Sequence, residues 1–480
     1  MIVHPHERLE GHSRVRLLGL DFSPKKQGWL PDDDCLWGLD RRRKEPTREP
    51  RWQSRAGDAD STPWTAITLE YLAENCAGAI LSRHRTIYRR NDPGLGFSAR
   101  RNRPAAGSTT FQSFDRSCMA LDRNELDRLV DARGGPGGEY HVARVFEDLI
   151  EPHVDEVRWD AMGNVIATAY GERDSDGDET DMDVMLAAHT DELALLIDGI
   201  TDDGLCTFSM LGGHYRGYLL GQHVRVGPDG VPGVIGAKPR HFMSDEEKDG
   251  LPDTLHIDLG AGDASAVADL NVEPGDHATW DRELTDLANN RLAGRALDDR
   301  IALAALLAVA RETTTDRTVH YVATVQEEVG LRGARATAYD VDPDVAIALE
   351  IYPTDDYPID GDRSSTVALG DGPVVELADG TSEYLFGGVL VDRQTLTWLT
   401  QAGETAGVTV QHDVMIGGTT DATEFQSIGG GRHAGAIAVP CRYTHSPVET
   451  IDLTDAEATV DVLRTALESQ FPARTAVRGR

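Results

Sequence analysis

Two adjacent glutamates, Glu327 and Glu328, follow an apolar run that starts at Val319 and predicts a buried strand. Both carboxylates should therefore lie at the C-terminal edge of a strand, where open α/β sheets place their chemistry. Successive side chains of an extended chain point in different directions, so one carboxylate could bind a metal while the other faces a water molecule. That arrangement suits hydrolysis. An isolated pair of this kind is more often a solvated strand end, so the assignment depends on the rest of the chain.

Four other acidic or histidine sites recur at the ends of predicted strands or at the start of a predicted helix. They are His189 with Asp191 after the strand 184–188, Asp298 with Asp299 before the buried helix 301–310, Glu350 after the strand 345–349, and His445 after the strand 434–440. Taken singly, each has an ordinary structural explanation, such as a helix cap for the aspartates. A histidine with a carboxylate two residues on is also the pattern of a metal ligand and the group that orients it.

As a set, these side chains indicate a metal site in one α/β domain. Two imidazoles with several carboxylates, and without cysteine, are ligands appropriate to a pair of Zn²⁺, Co²⁺ or Mn²⁺ ions. A pair of such ions activates a bridging water and polarises a substrate carbonyl, and a remaining carboxylate then serves as general base. The residues concerned are His189, Asp298, Glu327, Glu328, Glu350 and His445.

A stretch of different texture interrupts the alternation of strands and helices. Short alternating segments such as His223–Val226 and His277–Trp280 are separated by glycine, proline and acidic turns, which predicts a small β-rich unit. The α/β pattern resumes directly after it. We therefore expect an inserted domain at 199–290, within a main domain formed by 119–198 and 291–480.

The composition excludes several classes of function. Among 480 residues, 81 are acidic and 47 basic, and a formal charge of -34 disfavours nucleic acid and anionic membranes as partners. We interpret this surface as haloarchaeal in type, an adaptation to salt. The longest clean apolar run, 301–310, is far too short to cross a bilayer, and the first ten residues lack the apolar core of a signal peptide. A cytoplasmic protein is expected.

The first 118 residues differ from the rest in charge. They hold 20 basic against 15 acidic residues, so the acidic character belongs to the remainder of the chain. A basic arm for nucleic acid is one interpretation. We favour a poorly ordered N-terminal extension, or upstream sequence translated ahead of a true start at Met119. Its deletion should leave folding and activity unchanged.

The motifs HTDE, ALDDR, QEEVGLRGA, GGTTDA and RYTHSPVE occur in this order, with the strand that ends in Glu350 between the third and fourth. As a set they resemble the M42 glutamyl aminopeptidases, also called TET aminopeptidases, over residues 119–471. The resemblance implies a three-layer α/β/α zinc-peptidase domain with an inserted small PDZ-like β-barrel for dimerisation and assembly. It also implies short peptides as substrates, two Zn²⁺ or Co²⁺ ions per subunit, and dimers that assemble into a dodecamer.

The resemblance also implies a role for each site residue. Asp298 would bridge both metals, His189 and Glu350 would complete one ion's ligands, and Glu328 and His445 those of the other. Glu327 would be the general base, Asp191 would orient His189, and Asp299 would shape the turn at Asp298. Glu350 stands where many members of the family have aspartate, a change that keeps the charge and lengthens the arm.

Other functions stay open at the level of sequence. A related dinuclear carboxypeptidase or deacylase would use the same metal ligands. Glycoside hydrolysis by Glu327 and a partner carboxylate is another alternative, because relatives of the family have been labelled endoglucanases. It is more remote, because His189 and His445 have no role in that mechanism. A non-catalytic shell is a third alternative, which the presence of Glu327 argues against.

Overall fold

A computed structural model describes residues 120–171, 182–245, 254–356 and 366–473. The predicted extension at 1–118 and the proposed start at Met119 lie outside the described residues. Within the described ranges, no helix combines the length and the apolar character needed to cross a bilayer.

The described residues form eight α-helices. They are α1 (Arg123–Asp131), α2 (Tyr140–Ile150), α3 (Ala264–Asp269), α4 (Leu297–Glu312), α5 (Arg332–Val341), α6 (Arg393–Ala406), α7 (Ala422–Ser427) and α8 (Leu453–Glu468).

The same residues form seventeen β-strands. They are β1 (Glu156–Trp159), β2 (Val165–Ala169), β3 (Val184–His189), β4 (Ala194–Ile200), β5 (Leu205–Leu211), β6 (His223–Val226), β7 (Val231–Gly236), β8 (His256–Asp258), β9 (His277–Trp280), β10 (Thr285–Asp286), β11 (Arg291–Gly294), β12 (Val319–Thr324), β13 (Val345–Pro353), β14 (Val374–Ala378), β15 (Gln411–Val414), β16 (His433–Arg442) and β17 (Glu449–Asp452).

Eleven strands form one mixed sheet, in the order β1-β2-β12-β3-β13-β16-β17-β11-β10, in which β14 also pairs with β16, and β15 pairs with β14. The four central strands, β12, β3, β13 and β16, run parallel to one another. Their C-terminal ends therefore meet at one edge of the sheet. Open α/β sheets bind their ligands outside this edge, so the topology converges the chemistry-bearing residues there.

Successive residues of the central strands pack into two different hydrophobic clusters. Along β13, Ile347 and Leu349 join a large cluster that includes residues of α4 and α8, whereas Ala346 and Ala348 join a cluster that includes residues of α5 and α7. Strands buried on both faces read as near-continuous apolar runs, which is why the sequence of this strand shows no alternation. The large cluster takes in most of α4, whose residues are buried without interruption from Leu297 to Ala310.

A second sheet closes on itself as a barrel of six strands, in the order β4-β5-β8-β7-β6-β9. Leu195, Val224, Ile257 and Trp280 lie in a hydrophobic cluster of its own. The predicted β-rich unit is confirmed as a closed barrel, and two segments, His223–Val226 and His277–Trp280, coincide with strands β6 and β9. The first barrel strand already starts at Ala194, ahead of the predicted 199.

The predicted buried elements of the main sheet are also present. The apolar runs 184–188 and 434–440 form most of β3 and β16, and the run 301–310 forms the middle of α4. One strand is longer than the sequence predicts, because β13 does not end before Glu350 but continues to Pro353. Its neighbour β16 offers backbone partners along this whole length, from Val345 beside His433 to Pro353 beside Cys441. Ladder pairing involves the backbone alone, so a charged side chain does not end it.

Candidate active site

His189 is the last residue of β3 and is almost fully buried. Its backbone N–H donates to Oδ2 of Asp299 at 3.1 Å. The ring nitrogen Nδ1 lies 3.1 Å from the carbonyl oxygen of Asp191 and 3.5 Å from that residue's Oδ1. Nε2 is thereby directed at Asp298, whose Oδ1 lies 3.0 Å away. The ring is held by one nitrogen and presents the other, as metal-binding histidines do.

Asp298 lies at the centre of the site, and its two oxygens face different partners. Oδ1 lies beside Nε2 of His189, and Oδ2 lies 3.4 Å from Nε2 of His445. The aspartate is one of two residues near the start of α4 whose backbone is not helical, the other being Asp299. Neither aspartate therefore acts as a simple helix cap, and Asp298 stands between two separate sets of side chains.

Glu327 and Glu328 follow β12 within a turn. Strand β12 ends at Thr324, Gln326 adopts a left-handed φ of 57°, and the N–H groups of Gly330 and Leu331 donate to the Glu327 carbonyl at 2.9 Å. The expectation of two glutamates on an extended chain is therefore wrong. The backbone N–H groups of Gln326, Glu327 and Glu328 donate to side-chain carboxylates instead of to a neighbouring strand.

Glu350 lies within β13 and projects from the same face of the sheet as Ala348. Its partner in the strand register is Ala438 of β16, and Glu350 itself is 6% exposed. Oε2 lies 3.8 Å from Nε2 of His189. The structure therefore brings Glu350 beside His189, although the residue lies within β13 and not at a strand tip.

His445 follows β16 in a turn and has a left-handed φ of 60°. Its Nε2 lies 3.7 Å from Oε2 of Glu328, in addition to its contact with Asp298. The side chain is 40% exposed, far more than that of His189 at 1%. The site is therefore closed on the His189 side and open to solvent on the His445 side.

The family of the chain follows from its match to a protein-family model. The model of the M42 glutamyl aminopeptidases matches residues 163–462, which include every side chain described above. The chain belongs to this family.

Two solved structures and one curated relative illustrate how far the likeness to other aminopeptidases extends. An aminopeptidase from the archaeon Desulfurococcus kamchatkensis is 33% identical, with a TM-score of 0.68, over 74% of this chain and 97% of that chain. The TET1 peptidase of Pyrococcus horikoshii, which can assemble into a tetrahedron or a large octahedral shell, is 30% identical with a TM-score of 0.61, over 72% and 99% of the two chains. The lysyl aminopeptidase of Pyrococcus furiosus is 28% identical over 73% and 98%. This M42 protein is a metal-dependent aminopeptidase, and hence a peptide hydrolase.

The electrostatics of this M42 site favour bound positive charge. Burial, opposed by the charge of His445 and helped by that of Asp298, raises the pKa of Glu328 to about 7. Burial likewise raises the pKa of Glu327 and Glu350 well above the ordinary range. For His445, burial opposes the shift, but the hydrogen bond to Asp298 and the charge of Glu328 raise its pKa to about 10. Buried carboxylates in this number are stable as anions only when cations lie beside them.

The donor atoms of the site also suit divalent ions. His189, Asp299 and Glu350 each offer one ligand atom within 4.8 Å of the others, and so do His189, Asp298 and Glu328. Oδ1 of Asp299 and Oε1 of Glu328 are buried and have no hydrogen-bond partner in the described part of the chain. Buried polar atoms are rarely left unpaired, and nitrogen with carboxylate oxygen is a donor set that Zn²⁺ and Co²⁺ accept.

Other functional residues of the M42 site were missed by sequence reasoning, although most belong to the same motifs. Arg300 is fully buried, and its guanidinium donates to the carbonyl oxygens of Thr190 and Leu129. Burial lowers its pKa to about 10, so the group stays charged at neutral pH. It therefore ties the chain between His189 and Asp191 to the C-terminal end of α1. The motif ALDDR contains this arginine, but nothing in its spacing indicates which carbonyl groups it reaches.

A second missed contact supports the loop that carries the two glutamates. Glu139 is 5% exposed, and its Oε1 accepts N–H groups from Gly137 at 2.7 Å and from Gln326 at 3.1 Å. Asp421, in the motif GGTTDA, accepts the hydroxyl of Thr324 at 2.6 Å at the end of β12. Burial raises the pKa of Asp421 to about 6. Neither carboxylate could be distinguished from a surface acid by sequence alone.

Proposed function

We propose that this M42 enzyme removes N-terminal residues from short peptides with two divalent metal ions per subunit, bridged by Asp298. The observation that carries the proposal is the division of the Asp298 carboxylate, with Oδ1 at 3.0 Å from His189 and Oδ2 at 3.4 Å from His445. His189 and Glu350 would hold one ion, and Glu328 and His445 the other. Zn²⁺ or Co²⁺ fits the nitrogen and oxygen donors.

The ions would supply Lewis acidity, lowering the pKa of a bound water and polarising the scissile carbonyl. The chain's own residues would do the rest. Glu327 has a raised pKa because it is buried and because Glu328 lies near it. A carboxylate with a raised pKa is a stronger base than an ordinary one, so Glu327 would take a proton from the attacking water and deliver it to the leaving amine. The half-exposed side of the site, at His445, would admit the peptide.

The proposal extends to the architecture and the assembly. Helices from both clusters of the main sheet would form the outer layers of an α/β/α domain, comprising 119–198 and 291–480. The six-stranded barrel would be a PDZ-like domain at about 199–290 for dimerisation and assembly. The likeness to TET1 peptidases, one of which was solved as a dodecamer and one of which can assemble into a tetrahedron or an octahedral shell, supports dimers that assemble into a dodecamer.

Two other reactions would use parts of the same site. A metallo-carboxypeptidase or deacylase would need the same ligands, and it differs in whether the substrate's free amine is required. Hydrolysis of a glycosidic bond by two carboxylates would leave the buried His189 and its orientation toward Asp298 without a function. The aminopeptidase assignment is therefore favoured.

The test is hydrolysis of a panel of aminoacyl-p-nitroanilides, unblocked and N-acetylated, in high KCl, after EDTA treatment and with Zn²⁺ or Co²⁺ restored. We expect cleavage of the unblocked substrates only, loss with EDTA and recovery with metal. Cleavage of blocked or C-terminal substrates alone would move the protein to the deacylase or carboxypeptidase reaction. Metal-independent cleavage of a glucan would overturn the metal mechanism altogether.

A further inference from the structure

Glu449 lies between two strands of the main sheet whose C-terminal ends lead into site residues. It is the first residue of β17, which pairs with β11 on one side and with β16 on the other. The chain leaving β11 reaches Asp298, and the chain leaving β16 reaches His445. Glu449 is 3% exposed, so its carboxylate must find partners inside the protein.

The carboxylate of Glu449 accepts one backbone N–H from each of these two segments. Oε2 accepts the N–H of Asp298 at 3.0 Å, and Oε1 accepts the N–H of His445 at 3.1 Å. The residues joined in this way are separated by 147 positions in the sequence. Because both oxygens are engaged, this single side chain sets the distance between the two backbones.

The backbone of His445 needs such support. Its φ of 60° is left-handed, a conformation that is unfavourable for a residue with a Cβ. Asp298 is also held by its contact with Nε2 of His189, so its position depends less on Glu449. Loss of the Glu449 contacts should therefore displace His445 more than Asp298.

We infer that Glu449 is a positioning residue for one half of the metal site, the half formed by Asp298 Oδ2, Glu328 and His445. The inference rests on the proposed function, because it requires two ions per subunit. The hydrogen bonds of Glu449 go to the backbone of two proposed ligands, Asp298 and His445, and not to their side chains. Outer contacts of this kind typically change metal affinity by about 10- to 100-fold.

The test is the substitution Glu449→Gln, with metal binding as the measurement. The glutamine side chain has nearly the same shape, but its amide N–H₂ would face one of the two backbone N–H groups and cannot accept from it. We expect wild-type protein to hold two Co²⁺ or Zn²⁺ ions per chain after gel filtration, measured by elemental analysis. Glu449→Gln should hold one ion, with the dissociation constant of the second raised by about 10-fold or more.

A matched control is available at Glu376. This glutamate is 1% exposed, and both of its carboxylate oxygens lack a hydrogen-bond partner among the described residues. Glu376→Gln changes a buried glutamate in the same way and should retain both ions with wild-type affinity. If Glu376→Gln also loses one ion, the loss is a general effect of changing a buried glutamate, and the inference fails.

The remaining outcomes separate the inference from the proposed function. If wild-type protein binds fewer than two ions, the two-ion proposal fails. If the wild type binds two and Glu449→Gln binds two with equal affinity, or loses both together, the positioning inference fails. Should Glu449→Gln not fold, as judged by circular dichroism, Glu449→Asp decides instead. The shorter aspartate side chain keeps the charge but reaches only one of the two N–H groups. This variant should also lose only the ion held by Glu328 and His445.

Discussion

The carboxylate of Asp191 holds the backbone of Glu327, because its Oδ1 accepts the Glu327 N–H at 3.0 Å. Its Oδ2 accepts the next N–H, that of Glu328, at the same distance. Asp191 thus sets the turn that carries both glutamates, while its carbonyl oxygen faces the ring of His189. The side chain and the backbone of one residue therefore contact two parts of the site.

We predict that Asp191→Asn lowers kcat by about 10- to 100-fold while the protein stays folded. The asparagine N–H₂ would face a backbone N–H, so the turn at Glu327 and Glu328 should shift. Measurement of kcat together with metal content distinguishes two roles for Asp191. If Asp191 acts through the turn, the ion near Glu328 should bind more weakly. If Asp191 only orients His189, the other ion should bind more weakly. Unchanged kcat would contradict both roles.

Glu327→Gln should leave metal content intact and lower activity by about 100-fold or more, the loss typical of a general base. Glutamine keeps the size of the side chain but cannot take the proton. Elemental analysis and initial rates on an unblocked aminoacyl-p-nitroanilide check the two parts of the prediction. A variant that loses a metal ion would mean that Glu327 is a ligand.

Gly213 lies in the loop that follows barrel strand β5, and the substitution Gly213→Ala should displace a side chain of the site. A Cβ at this position would lie 2.8 Å from Nδ1 of His445 and 3.1 Å from its Cε1, closer than side chains normally approach. The ring of His445 must then move, and we expect weaker binding of the second ion and a lower kcat/KM. Gly236→Ala, in barrel strand β7, is the matched control, because no heavy atom lies within 4 Å of its added Cβ. Equal behaviour of the two variants would refute this prediction.

His320 should make the stability of the fold sensitive to acid. Burial, helped by the charge of Arg158, lowers the pKa of His320 to about 4, and its Nε2 has no hydrogen-bond partner within the described ranges. The folded state therefore binds this proton more weakly than the unfolded state, whose pKa is about 6.5. Between these two values, stability falls as pH falls.

The variant His320→Gln removes this titration. Its free energy of unfolding should decline less than that of the wild type between pH 7 and pH 4.5, by roughly 2 kcal/mol. Urea unfolding of both proteins at a series of pH values measures the difference. Parallel curves for the two proteins would show that His320 does not titrate in this range.

Much of the fold follows from local patterns in the sequence. Uninterrupted apolar runs predict β3, β16 and the middle of α4, because burial on both faces leaves no polar positions in such elements. Alternation between glycine and proline turns predicts the barrel strands β6 and β9. His189, at the end of one such run, and His445, shortly after another, could be proposed as site residues because parallel strands end at one edge.

The tertiary structure decided which atoms of those residues meet. Glu350 lies inside β13 because β16 continues to pair with that strand, and no pattern within the segment could reveal this. Glu327 and Glu328 lie in a turn because Glu139 and Asp191, far away in sequence, accept the N–H groups there. Hydrophobic periodicity reports only whether a residue is buried. The partner of a buried carboxylate depends on strand register and on left-handed turns, which are set by contacts between distant parts of the chain.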